Sequence, residues 1–320
     1  MIASILHIRN GKLEKINPKD LESVSSERGF LWIDIEGNDI KDYAQIKKIF
    51  HLHPLTLENL VSFNQRPKAS EYPEYIFLIM HPVIYDSGKL KISEIDFVIG
   101  RNYLITSRLD PAESISEISE KISKDPPLFD KGPSFLLYSL IDAIVGSYFP
   151  PMDKMAEELD ALESEIFSNP NKKTLNKLFR LKRNLIQLRK TVNAQRDILL
   201  FLGRQESEFI LQEHRVYFRD VYEHLVRVSD SVDTYREIIS DSMDAYLSVI
   251  SNRLNEVMKV LTIIATIILP MSLVAAFYGM NVNFPEYVIF GKEGSYFFAL
   301  AVMASIAALM LLWFRSKKWL

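Results

Sequence analysis

Two uncharged, largely apolar runs close to the C-terminal end constrain this chain more than any other feature. Val260 to Pro285 and Ser295 to Phe314 contain no Asp, Glu, Lys or Arg. Each reaches the roughly 20 residues that an α-helix needs to cross about 30 Å of hydrocarbon. Two membrane spans are therefore expected, at 260–281 and 295–314, with a short outer loop at 282–294. A third apolar segment, Ser134 to Phe149, is shorter and carries Asp142; it reads as a buried helix of a soluble domain.

Orientation follows from the flanking charges. Arg253 and Lys259 precede the first run, and Arg315, Lys317 and Lys318 follow the second, whereas the loop between them holds only Lys292 against Glu286 and Glu293. Positive flanks stay on the cytoplasmic side. Both termini are thus expected in the cytoplasm, with the large N-terminal part forming a cytosolic domain and the lipid bilayer a partner of the last 60 or so residues.

Ahead of the spans the pattern changes twice. Up to about Asp130, short β-rich runs (Leu31–Ile35, Tyr75–Met80, Ile95–Ile99, Tyr103–Ser107) alternate with helical segments such as Lys41–Phe50 and Leu55–Leu60, the signature of a mixed α/β domain. From Ser134 the chain reads as almost wholly helical. Pro150 and Pro151 interrupt the first helix, and Ser168-Asn-Pro-Asn171 supplies a turn. The arm before that turn is acidic (Glu157, Glu158, Asp160, Glu163, Glu165) and the arm after it basic (Lys172, Lys173, Lys177, Arg180, Lys182, Arg183, Arg189, Lys190). Opposed charge suggests an antiparallel hairpin, although two separately solvated faces would look the same. The boundaries are 1–133 for the α/β domain, 134–210 for the hairpin, 211–259 for a stalk helix and 315–320 for a basic tail.

The stalk is the informative part. From Leu211 to Gly279 the first proline is Pro270, so one very long helix is expected. Val221, Leu225, Val228, Val232, Tyr235, Ile239, Met243, Tyr246, Ile250, Leu254 and Val257 form a packing seam at spacings of three and four. A second stripe starts with Asp230, Asp233, Glu237, Asp241 and Asp244. It continues through Ser248, Ser251, Asn255, Met258, Leu261, Ala265, Leu269, Ser272 and Ala276 to Gly279, with a mean step of about 3.5 residues. On a lone stalk an acidic stripe is simply the solvated side. Its continuation into a membrane span argues otherwise, because a lipid-facing surface has no use for Asn255 or Ser272, and small residues favour close helix approach. Two spans per chain cannot enclose water, so a path would need several copies around an axis. The residues point to a homo-oligomeric cation pore with an acidic cytosolic mouth.

The rest of the sequence excludes other classes. A net charge of −3 supplies no broad basic field, so nucleic acid is not an expected partner. The absence of cysteine removes disulfides, thiolate metal sites and cysteine nucleophiles. The start of the chain lacks a cleavable signal-peptide pattern. No phosphate-binding loop, H-E-x-x-H or G-x-S-x-G is found, so an enzyme is not expected. His51 and His53 lack an evident third ligand and read as structural.

Gly279-Met280-Asn281 at the end of the first span resembles the signature of the CorA magnesium transporters. Asn255-Glu-Val-Met-Lys-Val-Leu-Thr-Ile-Ile-Ala-Thr-Ile267, Tyr217-Phe-Arg-Asp-Val-Tyr222, Leu136-Leu-Tyr-Ser-Leu-Ile-Asp-Ala143 and the terminal Lys317-Lys-Trp-Leu320 are similar as well. The resemblance implies a funnel-shaped homopentamer: an α+β membrane protein with a cytosolic α/β domain, a charged helix hairpin and a stalk that becomes the inner pore helix. It implies Gly279, Met280 and Asn281 as the external selectivity mouth, Asp244, Asn255, Met258, Leu261, Leu269 and Ser272 as pore-lining, and regulatory Mg²⁺ between subunits at Asp220 and Asp86. Many relatives carry methionine where this chain has Leu269. Mg²⁺ is then both cargo and regulator, with Co²⁺ as a further cargo. Zn²⁺ and Ni²⁺ remain open, as does a membrane-tethered coiled-coil scaffold or sensor.

The chemistry is consistent with the resemblance. Mg²⁺ dehydrates reluctantly, and charged rings inside hydrocarbon are costly and bind divalent ions too tightly for flux. Neutral Asn281 amides can hydrogen-bond the water shell instead. Glu286 and Glu293 would concentrate cations outside, and Met258, Leu261 and Leu269 would gate by dewetting.

Overall fold

The computed structural model describes residues 1–204, 207–280 and 286–319. It divides into two compact units, Met1–Met243 and Asp244–Leu320. The first contains strands β1 (Ile2–Arg9), β2 (Lys12–Lys15), β3 (Phe30–Glu36), β4 (Lys68–Glu71), β5 (Ile76–Met80), β6 (Val83–Asp86), β7 (Lys89–Ile92), β8 (Ile95–Ile99) and β9 (Tyr103–Arg108). Its helices are α1 (Leu21–Val24), α2 (Ile40–Phe50), α3 (Pro54–Val61), α4 (Glu113–Lys124), α5 (Pro126–Phe129), α6 (Pro133–Gly146), α7 (Phe149–Ser168) and α8 (Lys172–Arg204). Helix α9 (Arg215–Tyr278) runs across the division, and α10 (Glu286–Ser316) completes the second unit.

Seven strands form one sheet in the order β2-β1-β3-β9-β8-β5-β4, and β6 and β7 pair separately. Only β3 and β9 run parallel, in register from Leu31↔Tyr103 to Glu36↔Arg108; the other neighbours are antiparallel. Strands β5, β8 and β9 are buried at every position, which explains why they read as continuous apolar runs rather than alternating ones. On one face Leu31, Ile33, Ile35, Phe77, Ile79, Val98 and Ile105 pack against Tyr43, Ile46 and Phe50 of α2 and Leu60 of α3. Helix α6 lies against β3, β8 and β9. The side chains of α6 are largely buried there, which accounts for its near-membrane hydropathy. On the sheet, Asp34 accepts from Thr106 Oγ1 at 2.7 Å and Arg108 Nη2 at 2.9 Å, and Arg108 also pairs with Glu36 at 2.8 Å. These bonds pair a carboxylate and a guanidinium that are both almost fully buried, although the Arg108 Nε has no hydrogen-bond partner among the described residues; an unpaired buried charge there would be costly.

The two histidines flagged in the sequence have capping roles. His51 closes α2 in a left-handed conformation at φ 50°, and the His53 Nδ1 accepts the Leu55 N–H at 3.2 Å to start α3. Helix α6 ends at Gly146, ahead of Pro150 and Pro151. Those prolines sit in the first turn of α7, where a missing N–H is tolerated. The α7–α8 hairpin turns at Asn169–Asn171, with the Asn171 Oδ1 accepting the Lys173 N–H at 2.7 Å. Glu165–Lys177 (2.7 Å) and Glu158–Arg180 (3.4 Å) join the arms. The α/β part and the hairpin form one compact unit rather than separate bodies.

One buried acid has no such partners. Asp96 on β8 is fully buried, and its carboxyl meets no basic donor; it faces the Glu94 carboxyl, with which it shares a hydrogen bond when protonated. Burial first, and the charge of Glu94 second, hold its carboxyl well above the usual range, with Lys68 opposing. A raised carboxylate pKa means that the folded state keeps a proton the unfolded chain has released, so stability falls as pH rises through that window. Asp96→Asn is expected to raise stability at pH 8 by about 1–3 kcal/mol and to flatten the decline above the ordinary carboxylate range. Thermal unfolding of the full chain in detergent across pH checks this.

Candidate functional site

The acidic residues of the long helix fall into two groups. Near its start, Asp220 and His224 lie one turn apart, with the His224 Nε2 at 3.9 Å from Asp220 Oδ2. Asp142 of α6 approaches the other ring nitrogen, its Oδ1 4.0 Å from His224 Nδ1. One imidazole thus sits between two carboxylates from different helices. Burial raises the Asp142 pKa, His224 opposes the shift and the Asp220 charge adds to it. Stacking of Tyr138 on Tyr217, with centroids 4.9 Å apart, ties α6 to α9 beside the trio.

Asp86 ends β6 in an exposed position, where the Ser87 hydroxyl donates to its Oδ1 at 3.1 Å. No hydrogen bond or ion pair joins Asp86 to Asp220 among the described residues. Nor does any group of three His, Cys, Asp or Glu side chains among them make a metal cage. Asp220 is 65% exposed, so a metal held there within one chain would keep most of its water shell.

Farther along α9, Asp230, Glu237, Asp241 and Asp244 are exposed, while Asp233 is held by Arg189 at 2.8 Å and Arg236 at 3.2 Å. The seam beside them is real: Val221, Leu225, Val228, Val232 and Ile239 are buried. It opens at its far end, where Leu254 and Val257 are exposed.

In the second unit, α9 and α10 leave nearly all of their apolar surface uncovered. Only 6% of the most apolar window of α9 and 11% of that of α10 is buried within the chain. So broad an apolar surface requires lipid or further protein. Met258, Leu261 and Leu269 are exposed, but so are Ile264, Ile268 and Leu273 on other faces. Exposure alone therefore does not single out the stripe.

Hydrogen bonding separates the polar side chains inside the span. Thr262 and Thr266 donate to the Met258 and Thr262 carbonyls, each at 2.7 Å, and so are satisfied inside the helix. The Ser272 hydroxyl, exposed on the stripe, has no hydrogen-bond partner among the described residues; inside a bilayer it would have to be met by water, an ion or another copy. Asn255, on the same face, is exposed just before the span.

The helix ends at Tyr278. Gly279 N–H donates to the Ala275 carbonyl at 2.9 Å and Met280 N–H to the Phe277 carbonyl at 3.3 Å. Gly279 is not in the left-handed region. Asn281 lies outside the described residues. Residues 286–290, expected in the outer loop, already belong to α10, which is broken at Gly291 with φ 69°; Glu286 begins that helix and Glu293 is exposed beyond the break.

Residues 27–318 match the family described as CorA-like Mg²⁺ transporter protein. The chain belongs to the CorA-like Mg²⁺ transporter family. It is 39% identical over 309 residues to the cobalt/magnesium transport protein CorA of Thermotoga maritima, covering 94% of this chain and 87% of that one. It is 24% identical over 322 residues to the cobalt/magnesium transport protein CorA of Methanocaldococcus jannaschii, covering each chain completely. The solved complete structure of the CorA magnesium transporter from Methanocaldococcus jannaschii shares the fold, with a TM-score of 0.87 and 24% identity over 100% of this chain and 99% of that one. The family is one of membrane transporters rather than enzymes.

Two residues of the CorA stalk cluster escaped the sequence reading. Asp142 was seen only as a charge that disqualified an apolar run, and His224 was not noted. The signal for His224 is its spacing of four from Asp220; nothing local pairs Asp142 with either. Because the chain has no cysteine, single cysteines can test the stripe. Asn255→Cys and Ser272→Cys are expected to react with water-borne thiol reagents in a lipid-reconstituted sample much faster than Ile264→Cys and Ile268→Cys. Equal rates on all faces would remove the distinction.

Proposed function

We propose that the chain forms a homopentameric Mg²⁺ channel of the plasma membrane, spanning it twice with both termini cytoplasmic, and with Co²⁺ as a second cargo. The observation that carries this reading is the exposed Ser272 hydroxyl, without a hydrogen-bond partner among the described residues, in the apolar part of a helix that leads to Gly279-Met280-Asn281, with Asn255 on the same face just before the span. The names of the Thermotoga maritima and Methanocaldococcus jannaschii relatives support both cargoes.

In this reading five copies of α9 surround the path. Asp244 gathers cations at the cytosolic mouth, and Asn255 and Ser272 wet the lumen. Met258, Leu261 and Leu269 form a constriction that closes by losing its water. At the outer end Asn281 presents one amide per subunit to a hydrated ion, with Gly279 and Met280 shaping the ring and Glu286 and Glu293 raising cation concentration near it. Mg²⁺ uptake into liposomes under an inside-negative potential is expected from the wild type, and about tenfold less or lower from Asn281→Ala if each lost ligand removes a hydrogen bond to the ion's charged hydration shell. Equal uptake by both would sink the filter assignment, and none by the wild type would sink the function.

Regulation is placed at Asp220, with Asp142 joining it and Asp86 of a neighbouring subunit as the remaining candidate. Internal Mg²⁺ bridging these acids would hold the channel closed, and its loss would leave like charges opposed across the interface, a linkage between ligand and conformation. Asp220→Lys should relieve inhibition by internal Mg²⁺. Burial raises the Asp142 pKa, so its carboxyl takes up a proton above the ordinary carboxylate range, and inhibition is expected to weaken on acidification and strengthen as pH rises. Asp142→Asn should flatten that dependence; an unchanged pH profile of inhibition would remove Asp142 from the site.

A further inference from the structure

Asp86 stands on a small element of its own. Strands β6 and β7 pair with each other, in register from Val83↔Ile92 to Asp86↔Lys89, outside the seven-stranded sheet. A two-stranded hairpin by itself is marginally stable in water, so its position has to come from what packs on it. Helix α7 lies against β6 and α8 against β7. At the base of the hairpin the Ser147 Oγ accepts the Val83 N–H at 3.2 Å. The His81 carbonyl, just before β6, accepts from Tyr148 Oη at 2.7 Å and from Gln195 Nε2 at 3.1 Å.

The tip is seated on the α7–α8 hairpin. Ser87 and Gly88 both have positive φ, 50° and 77°, the pattern of a two-residue type I′ turn. The Gly88 carbonyl accepts from Asn184 Nδ2 at 3.0 Å in a buried contact. The Arg180 guanidinium, one turn earlier on α8, covers the bare face of Gly88, where a Cβ would stand 2.6 Å from Arg180 Cζ. Glu158 of α7 pairs with the same guanidinium at 3.4 Å, and Tyr85, the residue before Asp86, is buried beside Glu158 and Asn184. Asp86 itself is exposed and takes its hydrogen bond from Ser87, within the turn. The seating of the turn therefore sets where its carboxylate stands. We propose that Arg180 and Asn184 are positioning residues for Asp86: they fix the Ser87–Gly88 turn on α8 and so fix where Asp86 meets the regulatory ion. This rests on the reading of Asp220 and Asp86 as a regulatory Mg²⁺ site between subunits. Mg²⁺ demands near-octahedral oxygen geometry, and hydrogen bonds through its water shell weaken steeply with misalignment. A turn free to shift thus weakens the bridge even when every carboxylate is present.

The test uses full-length protein in liposomes and reads the Mg²⁺ concentration on the cytosolic face that half-inhibits uptake. Asn184→Leu, close in volume but without the donor, and Arg180→Ala should each raise it about three- to tenfold, with uptake at low cytosolic Mg²⁺ unchanged. Arg180 is half-exposed at 39%, so Arg180→Ala keeps the test available should Asn184→Leu fail to fold. Added to Asp86→Asn, neither substitution should raise the concentration further, because a turn without its carboxylate has nothing left to place. Since the chain has no cysteine, a nitroxide on Lys89→Cys, across the turn from Asp86, reports the seating itself, and its spectrum should sharpen in both variants. Half-inhibition unchanged in both while Asp86→Asn raises it, effects that add to that of Asp86→Asn, or an unchanged nitroxide spectrum would each overturn the positioning role alone. No effect of Asp86→Asn would instead remove Asp86 from the regulatory site, and this inference with it.

Discussion

Everything distinctive about this chain depends on polar groups that it cannot satisfy alone. In α9 the hydroxyls of Thr262 and Thr266 close back onto the helix, but that of Ser272 does not, and the surrounding apolar surface is almost wholly uncovered. Hydrocarbon offers no hydrogen bonds, so a hydroxyl left open in a span carries a penalty of several kcal/mol. Lipid can cover the apolar faces but not this group. In the proposed pore, association of copies with the polar stripe inward would meet both requirements together.

The first unit brings two acids from different helices to one imidazole. Helix α6 lies on the sheet against β3, β8 and β9 and packs with Tyr138 on Tyr217 of α9. That packing carries Asp142, half-exposed at 45%, to one side of His224 while Asp220 occupies the other. The position of the cluster thus depends on the buried sheet, whose Asp34–Arg108 pair is itself fully enclosed. Substitutions that loosen the sheet would be felt at Asp142 before any ligand is lost.

Much of this was legible in the sequence, for identifiable reasons. Strands β3, β5, β8 and β9 are buried on both faces, so their composition announced them, as length and lack of charge announced α9 and the apolar part of α10. The edge strands β2 and β4 and the β6–β7 hairpin were not legible: Lys12–Lys15, Lys68–Glu71 and Lys89–Ile92 are short and carry lysines, as edges that avoid pairing with other chains should. β1 was also missed, although Ile5, Leu6 and Ile8 are buried, because its polar residues interrupt any regular alternation. The stripe from Asp230 to Gly279 was visible because helical periodicity is local. The approach of Asp142 to His224 was not, because it depends on the packing of α6, some 80 residues away in sequence.

Gly279 shows where backbone geometry departs from what residue type alone suggests. A glycine at the end of a span suggests a left-handed residue that turns the chain, yet its backbone is not left-handed, and its N–H still bonds to Ala275. The helical ladder therefore carries on for one residue past Tyr278, and the Met280 N–H closes a tighter turn on the Phe277 carbonyl at 3.3 Å. Glycine in a helical conformation costs about 1 kcal/mol against alanine, so helix propensity does not account for this residue. In the proposed ring the alignment of the ligands would matter, because hydrogen bonds weaken steeply with misalignment.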